Sequence, residues 1–475
     1  MVARTDGHPG VIPFSVRDPA LGSLDVALSA TAMRLVLARH LPDCVNGTLR
    51  LESCRPVSAR YDPSRRCLVR YKLRFRDVQA GSKIRTLAHA VLYADETAEQ
   101  LWVSRSLGYV VERAARRHPR PPFARATYVP ELRAIVQLYP VDLFLGGLVD
   151  AAASAPMRRA LHKALPQRMG RAPRGFQPQL VRYKPAKRAV LRYPLSDSEL
   201  SAVYGKVYPD DRGPALMNFS RVLRAAGVAT PEPLAYLPKL RMVMHSEARG
   251  QQLWQLRLTN GFPEWLGAAA RALAQLHGTC LEGLPSGSPG NRAASVLIAA
   301  ETIGRLLPNI AAETARLALK VAGQLHAVPS PAVTIHGDFS PIQLLTSGAG
   351  VVLLDLDDLR RGHPLIDVAS FAVALSVADG SSRQGNEMRD TFVEAYATAR
   401  QEALEQVLLF EAAEMLRAAL IPFRLLRTDW PAQTERLVQL ARRRFQEYRR
   451  SARFPGVGTA NGRSSPAPEK ALSSD

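Results

Sequence analysis

The stretch Val333–Phe371, VTIHGDFSPIQLLTSGAGVVLLDLDDLRRGHPLIDVASF, sets three acidic positions, Asp338, Asp355 and Asp367, in apolar surroundings. The apolar runs Val333–Ile335 and Val351–Leu354 have the length and bounding turns of buried strands. Leu344 and Leu345 open a short strand closed by the turn Thr346-Ser347-Gly348-Ala349-Gly350. A carboxylate just past each apolar run is then aimed at one end of the same hairpin. Carboxylates gathered at low dielectric repel and resist burial, so a fold that gathers them holds a cation or a transferable proton to offset the cost. Phosphoryl transfer is chemistry of this kind: one Asp takes or orients a hydroxyl proton and another holds magnesium on a nucleotide.

Three blocks in this order, HGDFSPIQ, LLDLDD and GHPLIDVASF, resemble the catalytic core of the aminoglycoside phosphotransferase and choline kinase-like family, whose usual form is HGDxxxxN, IDxx and GxPxxDLA. The resemblance implies an α+β, two-lobed protein-kinase-like fold with ATP and Mg2+ as cofactors. It implies Asp338 as the catalytic aspartate and Asp355 as the metal-binding one. Asp367 becomes a structural carboxylate tying the catalytic loop's backbone to the start of a helix, and His336 a packed structural residue at the start of that loop. One position departs from the pattern. Gln343 stands where the family has Asn, a second magnesium ligand; its carboxamide oxygen lies one methylene further out, so ligation stays open if the backbone sits back. Gln at this place is also similar to maltokinases, the sugar-phosphorylating branch. Asp357 and Asp358 follow closely enough to reach a second magnesium or to cap the turn Arg360–His363, with Asp357 the better placed.

Upstream, the chain states one unit twice. MRLVLARHLP at Met33–Pro42 returns as MRRALHKALP at Met157–Pro166, and RYDPSRRCLVRY at Arg60–Tyr71 returns as RYKPAKRAVLRY at Arg182–Tyr193. YVPELRAIV at Tyr128–Val136 then returns as YLPKLRMVM at Tyr236–Met244. Ordered matches of this kind imply a tandem duplication. Each copy reads as a helix, two strands joined by a basic turn, a third strand, a second helix and a hairpin.

The difference between the copies is informative. The second copy's third strand, AVYGKVYPDD, carries Lys206, which the resemblance implies is the lysine that meets the nucleotide's phosphates. In the first copy, LAHAVLYADE, Val91 takes its place, so the first copy reads as a cap and only the second as nucleotide-binding. On residue chemistry alone Lys206 also reads as a strand lysine with its head in solvent. The helix Pro214–Val228 contains no acid to pair with Lys206, leaving its partner to come from elsewhere. A glycine-rich loop is missing too, replaced by Lys184-Pro185-Ala186-Lys187-Arg188, whose cations either contact phosphates or form a solvated hairpin tip. His245, Ser246 and Glu247 follow the sheet as the hinge that lines the adenine pocket by resemblance.

Composition narrows the class. At 475 residues, 47% hydrophobic and 22% charged, the chain suits two to three domains, and no run approaches a membrane span. MVARTDGHPGVIPF lacks the apolar region of a signal peptide, and Cys44, Cys54, Cys67 and Cys280 show no metal or disulfide spacing, which together favour a cytoplasmic location. The net charge of +21 lies almost wholly before Leu256. It serves to attract phosphates or to solvate the surface; no nucleic-acid reading module accompanies it.

From Phe262 the period turns helical. Helices are expected over Arg389–Val407, Leu409–Leu426 and Ala432–Arg453, with Arg442-Arg443-Arg444 at a helix end. The domain expectation is a flexible arm over 1–24, a cap over 25–152, a nucleotide-binding lobe and hinge over 153–253, a helical catalytic lobe over 254–455 and a disordered tail over 456–475. The functional expectation is an ATP-dependent, magnesium-assisted phosphotransferase acting on a hydroxyl of a sugar or aminosugar-like metabolite. The alternative is a pseudokinase, a nucleotide-binding scaffold without turnover.

Overall fold

The computed structural model describes residues 16, 18–123, 125–166, 176–196, 200–287, 289–329, 332–348, 350–377, 383–402 and 404–452. The tail over 456–475 and most of the arm over 1–24 lie outside these. The remainder of that arm is packed rather than free: Leu21 and Leu24 are buried, and the Asp18 carboxylate accepts hydrogen bonds from the Tyr61 hydroxyl at 2.7 Å and the Ser64 amide at 2.8 Å. The reason is local. A buried carboxylate needs donors, and the first strand turn supplies them.

Two five-stranded antiparallel sheets follow one another. The first is built from β1 (Leu49–Asp62), β2 (Arg66–Asp77), β3 (Lys83–Tyr93), β4 (Ala126–Val129) and β5 (Ala134–Leu138), in the order β1-β2-β3-β5-β4. The second comprises β6 (Gln179–Lys184), β7 (Arg188–Pro194), β8 (Ala202–Val207), β9 (Pro233–Leu237) and β10 (Met242–Ser246), in the order β6-β7-β8-β10-β9. Both sheets alternate buried and solvated positions on their long strands, as half-buried antiparallel sheets do. A helix precedes each, Ala30–His40 burying Met33 and Leu37 and Ser154–Ala164 burying Met157 and Leu161.

The likeness extends to backbone detail. A left-handed residue closes the first turn of each sheet, Ser64 at φ 57° and Ala186 at φ 57°, and another closes each last hairpin, Arg133 at φ 44° and Arg241 at φ 47°. Non-glycine residues adopt this conformation rarely, so matched pairs reflect matched local structure. Register places Val91 opposite Leu68 and Ile135 in the first sheet and Lys206 opposite Val190 and Val243 in the second. The valine therefore holds the lysine's place.

The rest is helical with two small sheets: β11 (Gln251–Gln252), β13 (Leu344–Ser347) and β14 (Gly350–Leu353) in one, β12 (Val333–Ile335) and β15 (Arg360–Gly362) in the other. Strand β12 thus leaves the hairpin it precedes and pairs with Arg360–Gly362, a segment without the apolar alternation of a strand. Helix Phe262–Gly278 presents Leu266, Leu273 and Leu276 to the core at helical spacing. Downstream helices span Arg383–Arg400, Val407–Ala418, Ile421–Arg424 and Trp430–Ser451. The arginines Arg442 to Arg444 sit inside the last helix, not at its end, and Arg444 turns inward to pair with buried Glu411 at 3.0 Å. The first sheet also meets this helical half: the Tyr61 and Phe423 rings stand edge to face, 6.3 Å between centroids. Among the described residues no helix is long and apolar enough to cross a membrane.

Candidate active site

Three segments converge at the mouth of a cavity of about 660 Å³ between the second sheet and the helical half. The first is the loop after β12. Gly337, at φ 82°, admits no side chain, since a Cβ there would lie 2.4 Å from the Asp358 carbonyl. Its amide donates to Asp367 Oδ1 at 2.8 Å and the His336 amide donates to Asp367 Oδ2 at 2.6 Å. Asp367 is fully buried in the first turn of helix Leu365–Val377, where the helix dipole favours a carboxylate. His277 Nε2 donates to its Oδ2 at 3.2 Å while Nδ1 accepts from the Tyr396 hydroxyl at 2.6 Å. Burial alone raises the Asp367 carboxyl, yet the bond from His277 and the neighbouring charges and amides outweigh it and hold the pKa below the ordinary value.

His336 is buried and joins the two halves of the site. Its Nε2 donates to the Leu354 carbonyl at 2.9 Å, beside Asp355, and its Nδ1 accepts from the Asp338 amide at 3.4 Å. Both nitrogens are spent on backbone. Gln343 spans the gap that remains: Nε2 donates to Asp338 Oδ2 at 3.4 Å and to Asp355 Oδ2 at 3.2 Å. Asp355 follows β14 with φ 65°, a left-handed backbone that an L-residue keeps only when its surroundings over-determine it.

The second sheet closes the site with charge. Lys206 Nζ donates to Asp355 Oδ1 at 2.9 Å and to Asp357 Oδ1 at 3.0 Å. Arg188, only 2% exposed, pairs with both carboxylates as well, and the Tyr208 hydroxyl donates to Asp357 at 2.8 Å. The partner that the helix after β8 cannot provide therefore comes from the other lobe. Burial works against the Asp355 carboxylate, but Lys206 and then Arg188 hold its pKa well below the usual carboxylate range. Burial likewise disfavours the Lys206 charge, and Asp357 and Asp355 raise its pKa despite that.

His245, Ser246 and Glu247 all line the cavity. Burial, with Lys206 nearby, pushes His245 down to about 4, so it is neutral near pH 7. Ser246 Oγ accepts from the Glu232 amide at 3.1 Å. Glu247 holds Arg192 at 3.1 Å and Ser201 at 2.6 Å, which fixes its carboxylate to the sheet. Arg188 and Tyr208 are the members that sequence left unassigned. Arg188 stood in the turn read as either phosphate-facing or solvated; the regular buried phase of β7 falls on Ala189, Leu191 and Tyr193, so alternation puts Arg188 on the other face with Val190, where carboxylates from the other lobe bury it.

A divalent metal fits this donor set. Among the described residues no three His, Cys, Asp or Glu side chains form a metal-binding group of their own. The Asp355 carboxylate and the Gln343 carboxamide oxygen, once that amide turns from the carboxylates to which its Nε2 donates, would with nucleotide phosphates make the kind of partial cage magnesium takes. Lys206 and Arg188 share the same carboxylates, so any metal here competes with two side-chain charges.

The fold and the site together define the class: a small-molecule kinase with two lobes of protein-kinase-like architecture. Residues 203–409 match the model of the phosphotransferase enzyme family. That family works with ATP and a divalent metal in general. No curated protein matches the chain. Among solved structures it is similar to a choline/ethanolamine kinase family protein from Mesorhizobium loti, at 19% identity over 55% of this chain and 87% of that one, with a TM-score of 0.42. It is similar too to choline kinase from Cryptosporidium parvum, at 12% identity over 63% and 97%, TM-score 0.45. A spectinomycin phosphotransferase matches at 12% identity over 61% and 98%, TM-score 0.44.

Proposed function

We propose that the protein transfers the γ-phosphoryl group of ATP, with magnesium, to a hydroxyl of a small sugar-like metabolite. The observation that carries this reading is the Gln343 bridge, whose Nε2 donates to the carboxylates of both Asp338 and Asp355, with Gln343 and Asp355 themselves lining the cavity. Asp338 takes the proton of the acceptor hydroxyl as that oxygen attacks the γ-phosphorus; the bond to the β-bridging oxygen breaks and ADP leaves. Lys206 and Arg188 place positive charge where the phosphates arrive. Asp355 and Gln343 would hold the magnesium, which would supply charge to offset that of the phosphates. His336 and Asp367 keep the loop in shape, and residues 245–247 line the adenine end. A sugar acceptor is supported by Gln343 itself, similar to the maltokinase pattern. We read residues 25–152 as a cap copied from the lobe over 153–253, its phosphate lysine replaced by Val91.

The test is Asp338→Asn. Loss of a general base costs on the order of 10²- to 10⁴-fold in turnover, while nucleotide affinity stays within about twofold. Full turnover by this variant contradicts the assignment. A second reading, nucleotide binding without turnover, is favoured by the two cations that already satisfy Asp355 and Asp357. It expects no ADP formation with any hydroxyl acceptor although MgATP binds.

A further inference from the structure

The turn between β6 and β7 carries Lys184 and Arg188 toward the site and stands where kinase-like lobes place a glycine-rich loop. Its backbone is not held by its own lobe alone. Arg60 Nη2 donates to the Pro185 carbonyl at 2.6 Å and Arg70 Nη1 donates to the Tyr183 carbonyl at 2.6 Å, both from the first sheet. The Ala186 amide donates to Asp142 Oδ2 at 2.9 Å, and the Tyr183 hydroxyl donates to the same oxygen at 2.9 Å. Asp142 is fully buried and braced in turn, its Oδ1 accepting from the amides of Phe144 at 3.0 Å and Leu145 at 3.2 Å. Tyr183 also meets His89 Nδ1 at 3.2 Å.

These contacts have a common consequence. A turn with Ala186 in the left-handed region has a competing, less strained backbone, and a carboxylate on its amide favours the observed one. Two residues later Arg188 reaches Asp355 and Asp357, so the geometry of the clamp is passed to the phosphate site through a rigid two-residue step. A flexible glycine-rich loop orders itself around phosphates at an entropic cost; a turn already held in shape avoids most of it.

We infer that the first sheet and the loop that follows it form a positioning clamp for nucleotide binding, with Arg60 of the sheet and Asp142 of the loop as the positioning residues acting through the turn 184–188. This inference rests on the nucleotide reading of the site given above. It gives the first copy of the unit a task that needs no phosphate lysine. Arg60 and Asp142 touch the turn and not the cavity, which separates them from the residues that meet substrate.

The experiment uses the full chain, MgAMP-PNP as probe, titration calorimetry and amide hydrogen exchange. Arg60→Ala is the first variant, because Arg60 lies at an exposed strand position and its removal leaves the core intact; Asp142→Asn is the second. The expected result is a Kd for MgAMP-PNP raised about five- to tenfold in each, faster exchange at residues 184–188, and restored affinity in Arg60→Lys, which keeps one donor. If Asp142→Asn does not fold, the Arg60 pair decides alone. Wild-type affinity and unchanged exchange in Arg60→Ala overturn the clamp. Wild-type protein that binds no MgAMP-PNP overturns the nucleotide reading instead, a result distinct from variants that bind as tightly as the wild type.

Discussion

Beside the site, the charge of Lys184 is open to control by pH. Burial, then the neighbouring Arg188 and Arg182, push its ammonium down to about 8, with Asp355 and Asp338 acting in the opposite sense. Its folded pKa lies below the ordinary 10.5, so the stability that this group contributes is present above that value and is lost as pH falls toward 8. Phosphates have the opposite preference and favour the charged form. Affinity for MgATP is therefore expected to fall as pH rises through about 8, by about tenfold if one charge-assisted contact is lost. Calorimetry on either side of that value checks it, and Lys184→Arg should remove the step. At this scale Asp338 and Asp355 were legible as candidates because each belongs to a spaced motif, and Lys206 because its strand repeats an earlier one that carries Val91. Arg188 was not, since a basic residue beside a turn has the same appearance whether it is solvated or buried against carboxylates from another lobe.

The short elements around Asp367 show how a helix start holds a loop. Helix Leu365–Val377 offers its first turn, Asp367 accepts both loop amides and a bond from His277 on a second helix, and Tyr396 on a third helix holds the other nitrogen of His277. Asp367→Asn leaves a buried histidine without its carboxylate and replaces one acceptor oxygen by a donor facing an amide. A cost of about 3 kcal/mol is expected, read as a lower midpoint in urea unfolding with an unchanged slope; an unaltered midpoint contradicts the role. The two sheets were readable from alternation and turn residues. Strand β15 was not, because Arg360–Gly362 is a strand only by virtue of β12 lying beside it. The inward turn of Arg444 was hidden for a similar reason: its partner Glu411 comes from a different helix.

Over the whole molecule, the two sheets share strand order and turn geometry, but at the matched position one carries Lys206 and the other Val91. Each chain is thus expected to bind one nucleotide, and a calorimetric stoichiometry of two would contradict the distinction drawn from Val91. The repeat itself was visible as three ordered matches; the grip of the first sheet on the turn of the second was not, because it depends on how separate units dock. The most direct test of the nucleotide site is thermal unfolding of the full chain with MgATP, ATP without magnesium and magnesium alone, beside Asp355→Asn. MgATP at a hundredfold excess over its Kd should stabilise the wild type by about 2.7 kcal/mol, more than either component alone, and the variant should lose most of that gain. An equal melting temperature in all wild-type samples would show that Asp338, Asp355, Gln343 and Lys206 do not assemble a working kinase site.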